Sequence, residues 1–147
     1  MKSKKQHNFS LKTWFDNNRL YLLAFLIPVV SMLVVYAVKG VFPFGDEMYL
    51  RSDCYHQYTP YLEILQKKLQ SGGSLFYTWE IGAGMNFVAI AAYYLSSPFN
   101  LLTILWPTNM ADFVNFSIIL KMGLVGFATT YYLSKRFKSK NINTVIF

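Results

Sequence analysis

The sequence predicts an all-α integral membrane protein with two transmembrane helices joined by an outer loop, and three observations predict it. Hydrophobic residues make up 54% of the 147 residues and charged residues only 14%, with a mean hydropathy of +0.27, a balance foreign to a soluble domain of this length. Two long apolar runs, residues 20–38 and 111–133, have the length of spanning helices. The 14 Lys and Arg against 7 Asp and Glu gather largely at the two ends of the chain, as topology signals do. No basic stripe with interleaved aromatics runs along one element, so nucleic acid is not an expected partner. The single Cys54 excludes an intramolecular disulfide, and no Cys/His cluster has zinc spacing.

Residues 1–19 carry Lys2, Lys4, Lys5, Lys12 and Arg19 against Asp16 alone, which predicts a cytoplasmic N-terminus. Trp14 and Phe15 suit an interfacial anchor. Residues 20–38 (LYLLAFLIPVVSMLVVYAV) contain no charge, and about 20 such residues at ~1.5 Å each cross the ~30 Å hydrocarbon core. A cleaved signal peptide is disfavoured by the long polar leader and by the lack of a small-x-small site before Lys39. Pro28 is tolerable because a neighbouring helix can satisfy the carbonyl it frees.

Residues 39–110 form the expected extracytoplasmic loop. Gly40 and Pro43 break the first helix and deliver Asp46 to the far side. Thr59-Pro60 reads as an N-cap and first helical position, Tyr61, Leu62, Leu65 and Leu69 share one face, Glu63 and Lys67 form an i,i+4 pair, and Ser71-Gly72-Gly73 ends the helix. That helix is too short to span and suits the outer surface. The run after Gly82-Ala83-Gly84 has a spanning helix's hydropathy but is broken at Ser96-Ser97-Pro98. If it crossed once, Lys135, Arg136, Lys138 and Lys140 would lie outside, against the positive-inside rule. Two interfacial or re-entrant helices around a lipid-facing groove are therefore expected there. Residues 111–133 are the second span, 134–141 a cytoplasmic basic loop, and 142–147 the start of a third span.

Asp46, Glu47 and Asp53 follow the first span closely, where a carboxylate can act as general base on a hydroxyl or hold a divalent cation. Isolated acidic loop residues are more often solvated charge. Tyr55, His56, Gln57 and Tyr58 offer the hydrogen bonds and aromatic faces of a sugar or phosphate site, and equally those of a membrane interface. Lys121 lies mid-span, where a charge costs roughly 2.5–3.5 kcal/mol, so it is expected to face inward and to pair with a carboxylate or an anionic ligand. Gly123 and Gly126 would permit close helix approach. Gly82-Ala83-Gly84 follows no expected strand and has no Lys-Ser/Thr behind it, which argues against a phosphate loop.

The run from Pro43 to Pro107, with its GD, D-x-x-x-Q-Y, G-x-x-x-F-x-Y-x-W and YYL-x-SP-x-N patterns, and LKMGLVGFATTYYL after it, closely resemble the N-terminal region of the bacterial YfhO-like membrane proteins. The resemblance covers roughly residue 20 to the end. It implies a C-type glycosyltransferase fold in a bacterial cell membrane, taking a sugar from an undecaprenyl-phosphate carrier on the outer face to a cell-envelope polymer such as lipoteichoic acid. It further implies a catalytic carboxylate in the first outer loop. Asp53 is favoured as that base, with Gln57 and Tyr58 one turn away to orient it or the sugar; Asp46 is second, or a metal-site partner. Arg51 and Lys121 complete the expected substrate-binding set, Lys121 on charge and depth alone. The partners so implied are a polyprenyl-phosphate-linked sugar, a teichoic-acid-type acceptor and membrane lipid.

Family members run to many hundreds of residues and about a dozen spans, so this chain alone is expected to be inactive. The competing class is a non-catalytic two-span subunit or scaffold whose outer loop binds lipid or a partner. A transporter has thinner support, since one mid-span lysine comes without an inverted repeat.

Overall fold

The structure is a computed structural model that describes residues 11–47, 50–107 and 109–138. The expectations for residues 1–10, the Trp14 side chain, Lys140 and residues 142–147 lie outside the described parts. Among the described residues the regular structure is helical apart from one minimal hairpin and an isolated bridge between Val41 and Glu47, as expected of an all-α membrane protein. Two helices among the described residues are long and apolar enough to cross a membrane, in the regions Asn18–Lys39 and Met110–Arg136. Both helices outrun the apolar cores read from the sequence: α1 covers Leu11–Lys39 and α4 Met110–Arg136. Hydropathy marks the apolar core of a span, whereas the helix continues until a breaker stops it.

The described parts of residues 1–34 and 119–147 form one compact unit. Within it the two helices pack antiparallel through a seam of small residues. A Cβ at Gly126 would collide with the Ala24 carbonyl oxygen, and one at Gly123 would lie 2.7 Å from the Phe25 ring and from Val29. The chemistry of that contact follows from Pro28, which has no N–H to offer the carbonyl four residues back, that of Ala24. Glycine at 126 lets the partner backbone come up against the freed oxygen. At the far end of the seam Ser134 Oγ donates to the Tyr131 carbonyl at 2.9 Å, so the Tyr21 hydroxyl, 2.9 Å away, is the donor to Ser134.

Residues 35–118 form the second unit. Gly40, at φ +64°, ends α1, and the Glu47 amide returns to its carbonyl at 2.9 Å. The chain then enters a helix earlier than expected. Residues Cys54–Tyr58 form a π-helical turn that runs without a break into α2 (Thr59–Ser71). Pro60 accounts for the widening, because its ring clashes with the carbonyl four residues back and removes that hydrogen bond. Thr59 is therefore inside the helix instead of capping it. Its amide closes the π-turn on the Cys54 carbonyl, and its hydroxyl donates to the same oxygen at 2.9 Å. The C-terminus is as expected: Gly72 adopts φ +68° and both Gly72 and Gly73 donate to the Lys68 carbonyl.

Beyond α2, β1 (Tyr77–Thr78) and β2 (Met85–Asn86) pair antiparallel, Tyr77 opposite Asn86. The Gly82-Ala83-Gly84 stretch thus does follow a strand, a correction to the sequence reading, and forms the hairpin's loop; a Cβ at Gly84 would strike the Tyr77 hydroxyl. Next come α3 (Phe87–Ile90), a second π-helical turn over Ala91–Leu95, and a 3₁₀ helix over Pro98–Leu105. The two limbs meet at 107° across the Ser96-Ser97 break, matching the expected broken pair. Leu62, Ile64 and Leu65 of α2 bury themselves against Phe87, Ile90, Leu95, Met110 and Phe113, the core of this unit.

Candidate functional site

Ser52 and Asp53 open the helix that carries most of the expected site. Ser52 sits at φ +51°, in the left-handed region that a residue with a Cβ enters at a cost of ~1–2 kcal/mol. Its carbonyl accepts from Tyr55 N at 3.0 Å and His56 N at 2.9 Å, which offsets that cost and starts the helix directly at Asp53. Asp53 has helical backbone angles, and its exposed side chain caps no amide. Its carboxylate is therefore not committed to holding the helix end.

The π-turn places Tyr58 against the second π-turn. Tyr58 and Tyr94 meet edge to face with centroids 5.3 Å apart, Tyr61 and Tyr94 at 5.1 Å, and Tyr93 and Tyr94 at 4.7 Å. Asp53 lies within electrostatic reach of this cluster. Desolvation raises the Tyr94 phenol above its ordinary value, and Tyr61, Tyr93, Tyr58 and Asp53 add to the rise in that order. A phenol so held keeps its proton and remains a hydrogen-bond donor. Rare π-turns mark functional positions more often than their frequency predicts, and here two of them touch through one ring pair. Gln57 is half-buried on the same turn. On α2 and the π-turn, Tyr55, His56, Thr59, Pro60 and Glu63 line, with Asn109, a separate cavity of about 310 Å³.

Asp46 belongs to a different neighbourhood. It is exposed, and its charge interacts with that of Asp112 at the start of α4. The two sequence candidates thus divide: Asp53 has the aromatic surroundings and Asp46 another carboxylate. Among the described residues no group of three or more His, Cys, Asp or Glu is arranged to hold a metal ion. Arg51 is exposed and lines a second cavity, with Lys39.

Two expectations need correction. Lys121 is exposed instead of facing inward, and no carboxylate pairs with it among the described residues. The buried stripe of α4 in its unit runs through Ile119, Gly123, Thr130 and Ser134, and Lys121, two residues past Ile119, is turned about 200° from it. Glu63 does not pair with Lys67 either; Lys67 reaches Glu80 at 3.1 Å. Tyr61 and Tyr94 were missed as site residues. For Tyr61 a signal was present, as Tyr55, Tyr58 and Tyr61 at spacing three, but Tyr61 also fits the apolar face of α2; for Tyr94 there was none.

A family model described as bacterial membrane protein YfhO matches residues 24–147. The chain belongs to the YfhO family. The match begins inside the first span and takes in both π-turns, the hairpin, the bent pair and α4, so the whole candidate site lies within the part that defines YfhO membership. No curated protein and no solved structure matches the chain. Family membership and the two apolar helices make this a membrane protein.

Proposed function

We propose that this chain supplies the catalytic site of a membrane glycosyltransferase that moves a sugar from an undecaprenyl-phosphate carrier to a cell-envelope polymer such as lipoteichoic acid. The observation that carries the reading is the Asp53 carboxylate, uncommitted at a helix start and within electrostatic reach of Tyr94, whose ring packs on Tyr58 and Tyr61. Membership of the YfhO family supports it. In this reading Asp53 removes the proton from an acceptor hydroxyl, whose oxygen attacks the anomeric carbon. The bond from that carbon to the carrier phosphate breaks, and the phosphate leaves with the electron pair, inverting the centre. A phosphate leaving group needs little protonation, so one carboxylate is enough. The tyrosine faces and hydroxyls offer stacking and hydrogen bonds to the sugar. The basic ends lie in the cytoplasm and residues 39–110 on the outer face, by the positive-inside rule.

The test is Asp53→Asn in the complete protein in its membranes, with transfer from lipid-linked sugar as the readout. General-base loss lowers rates by about 10²–10⁴, so transfer falls at least a hundredfold while the amount of folded protein is unchanged. Wild-type transfer by the variant would remove Asp53 from the mechanism.

A further inference from the structure

We infer that the cavity lined by Lys39 and Arg51 binds the phosphate group of a membrane-resident, single-phosphate lipid. The cavity holds about 640 Å³ and is lined by Val35 and Lys39 of α1, Val41, Glu47, Leu50 and Arg51 of the following segment, Cys54 and Ile118. Its walls are mostly apolar, and cationic residues from two different segments line it. A lysine at a helix C-terminus is often there for the helix dipole, which accounts for Lys39 but not for Arg51. Glu47 offsets only one of the two charges, and among the described residues neither cation forms an ion pair.

An occupant must satisfy both features. A soluble phosphate leaves the apolar wall unused, and a neutral hydrocarbon leaves two cations unanswered; an acyl or prenyl chain ending in a phosphate answers both. The volume is in the range of ordinary ligand sites. Lys39 is the last residue of a helix able to cross the bilayer, so the cations stand at the depth where a lipid phosphate lies. Arg51 and Asp53 are two residues apart, so their Cα atoms are within about 7 Å. A phosphate held by Arg51 would therefore set the group esterified to it near the Asp53 carboxylate. Identifying the lipid with the sugar's carrier rests on the reading given above, whereas the site itself rests on the cavity. Arg51 in this view does what was expected of Lys121.

Cys54, the only cysteine and half-buried in this wall, is a built-in reporter. The experiment places the chain in phosphatidylcholine nanodiscs and follows alkylation of Cys54 by N-ethylmaleimide with farnesyl phosphate, farnesol or inorganic phosphate. Retention of each probe in native mass spectrometry gives a second readout without the thiol. Farnesyl phosphate is expected to slow alkylation at least tenfold and to be retained, and the other two to do neither. Lys39→Gln with Arg51→Gln abolishes both effects, with Arg51→Gln alone deciding if the double variant loses its helical circular dichroism. Lys67→Gln, which removes one positive charge elsewhere, changes nothing. Equal protection by farnesol, equal protection by inorganic phosphate, or retention that survives loss of both cations would each overturn the assignment. Asp53→Asn separates the two proposals: binding kept while transfer is unaffected sinks the general base alone, and binding absent while transfer depends on Asp53 sinks the lipid site alone.

Discussion

The helix pair of the first unit and the broken helices of the second solve one problem in opposite ways. A continuous helix satisfies its own backbone, so the seam between α1 and α4 needs few polar side chains and is built by taking side chains away, at Gly123 and Gly126. The second unit carries two π-turns and a 3₁₀ helix and bends by 107°, which leaves carbonyls without helical partners. Polar side chains supply them. Gln66 donates to the Thr103 and Trp106 carbonyls at 2.7 and 2.8 Å, Gln70 to Ile104 at 3.1 Å, and Lys68 to Ser74 and Tyr77 at 2.7 Å each. Irregular backbone near a membrane is affordable only where such donors reach it.

Substitutions can break that contrast, and the largest effect is expected in the core of the irregular unit. Phe87 is fully buried, and Phe87→Ala should cost about 3–5 kcal/mol, seen as a lowered unfolding midpoint in detergent. Gln66→Leu comes next. It leaves the Trp106 carbonyl without its side-chain donor, at roughly 1–3 kcal/mol, and reduces the buried Thr103 carbonyl to one donor, the Trp106 amide at 3.0 Å. Hydrogen exchange should rise across residues 98–107 and stay unchanged in α1. Gly126→Ala is the mirror experiment, overpacking the regular seam at a cost of about 1–3 kcal/mol in all. Exchange should then rise in α1 near Ala24 and leave α2 alone. If Gln66→Leu and Gly126→Ala loosened the same amides, the division into two differently built units would be wrong.

The same contrast explains what the sequence disclosed. Residues 20–38 and 111–133 announced themselves because a lipid-facing helix needs only unbroken hydropathy, and Ser96-Ser97-Pro98 announced the bend because proline disfavours helix in the residue before it. Pro60 misled for a related reason: it marks a first helical turn in isolation, whereas here the π-turn absorbs its clash and lets the helix begin at Asp53. Lys121 was assigned inward on the cost of its charge, but the face of a helix is set by its partner, and Gly123 with Ile119 fixed that face elsewhere. Asp53 became a candidate from its position after the span. Its tyrosine surroundings were not, because Tyr58 and Tyr94 are 36 residues apart and meet only through two departures from α-helical geometry, which no regular periodicity encodes.

The grip of α2 on its neighbours has a consequence for how this region can diverge. Gln66, Lys68 and Gln70 hold main-chain oxygens, which every amino acid carries, so they read the path of residues 74–77 and 103–106 and not their side-chain identities. The gripped segments are then free to drift in sequence as long as they keep their course, while the gripping positions are not. A mutational scan should find a tolerant stretch at Leu101, Leu102, Ile104 and Leu105, which are exposed, facing an intolerant Gln66. In a membrane protein, that asymmetry lets an exposed apolar wall change its chemistry without moving the helix that grips its backbone.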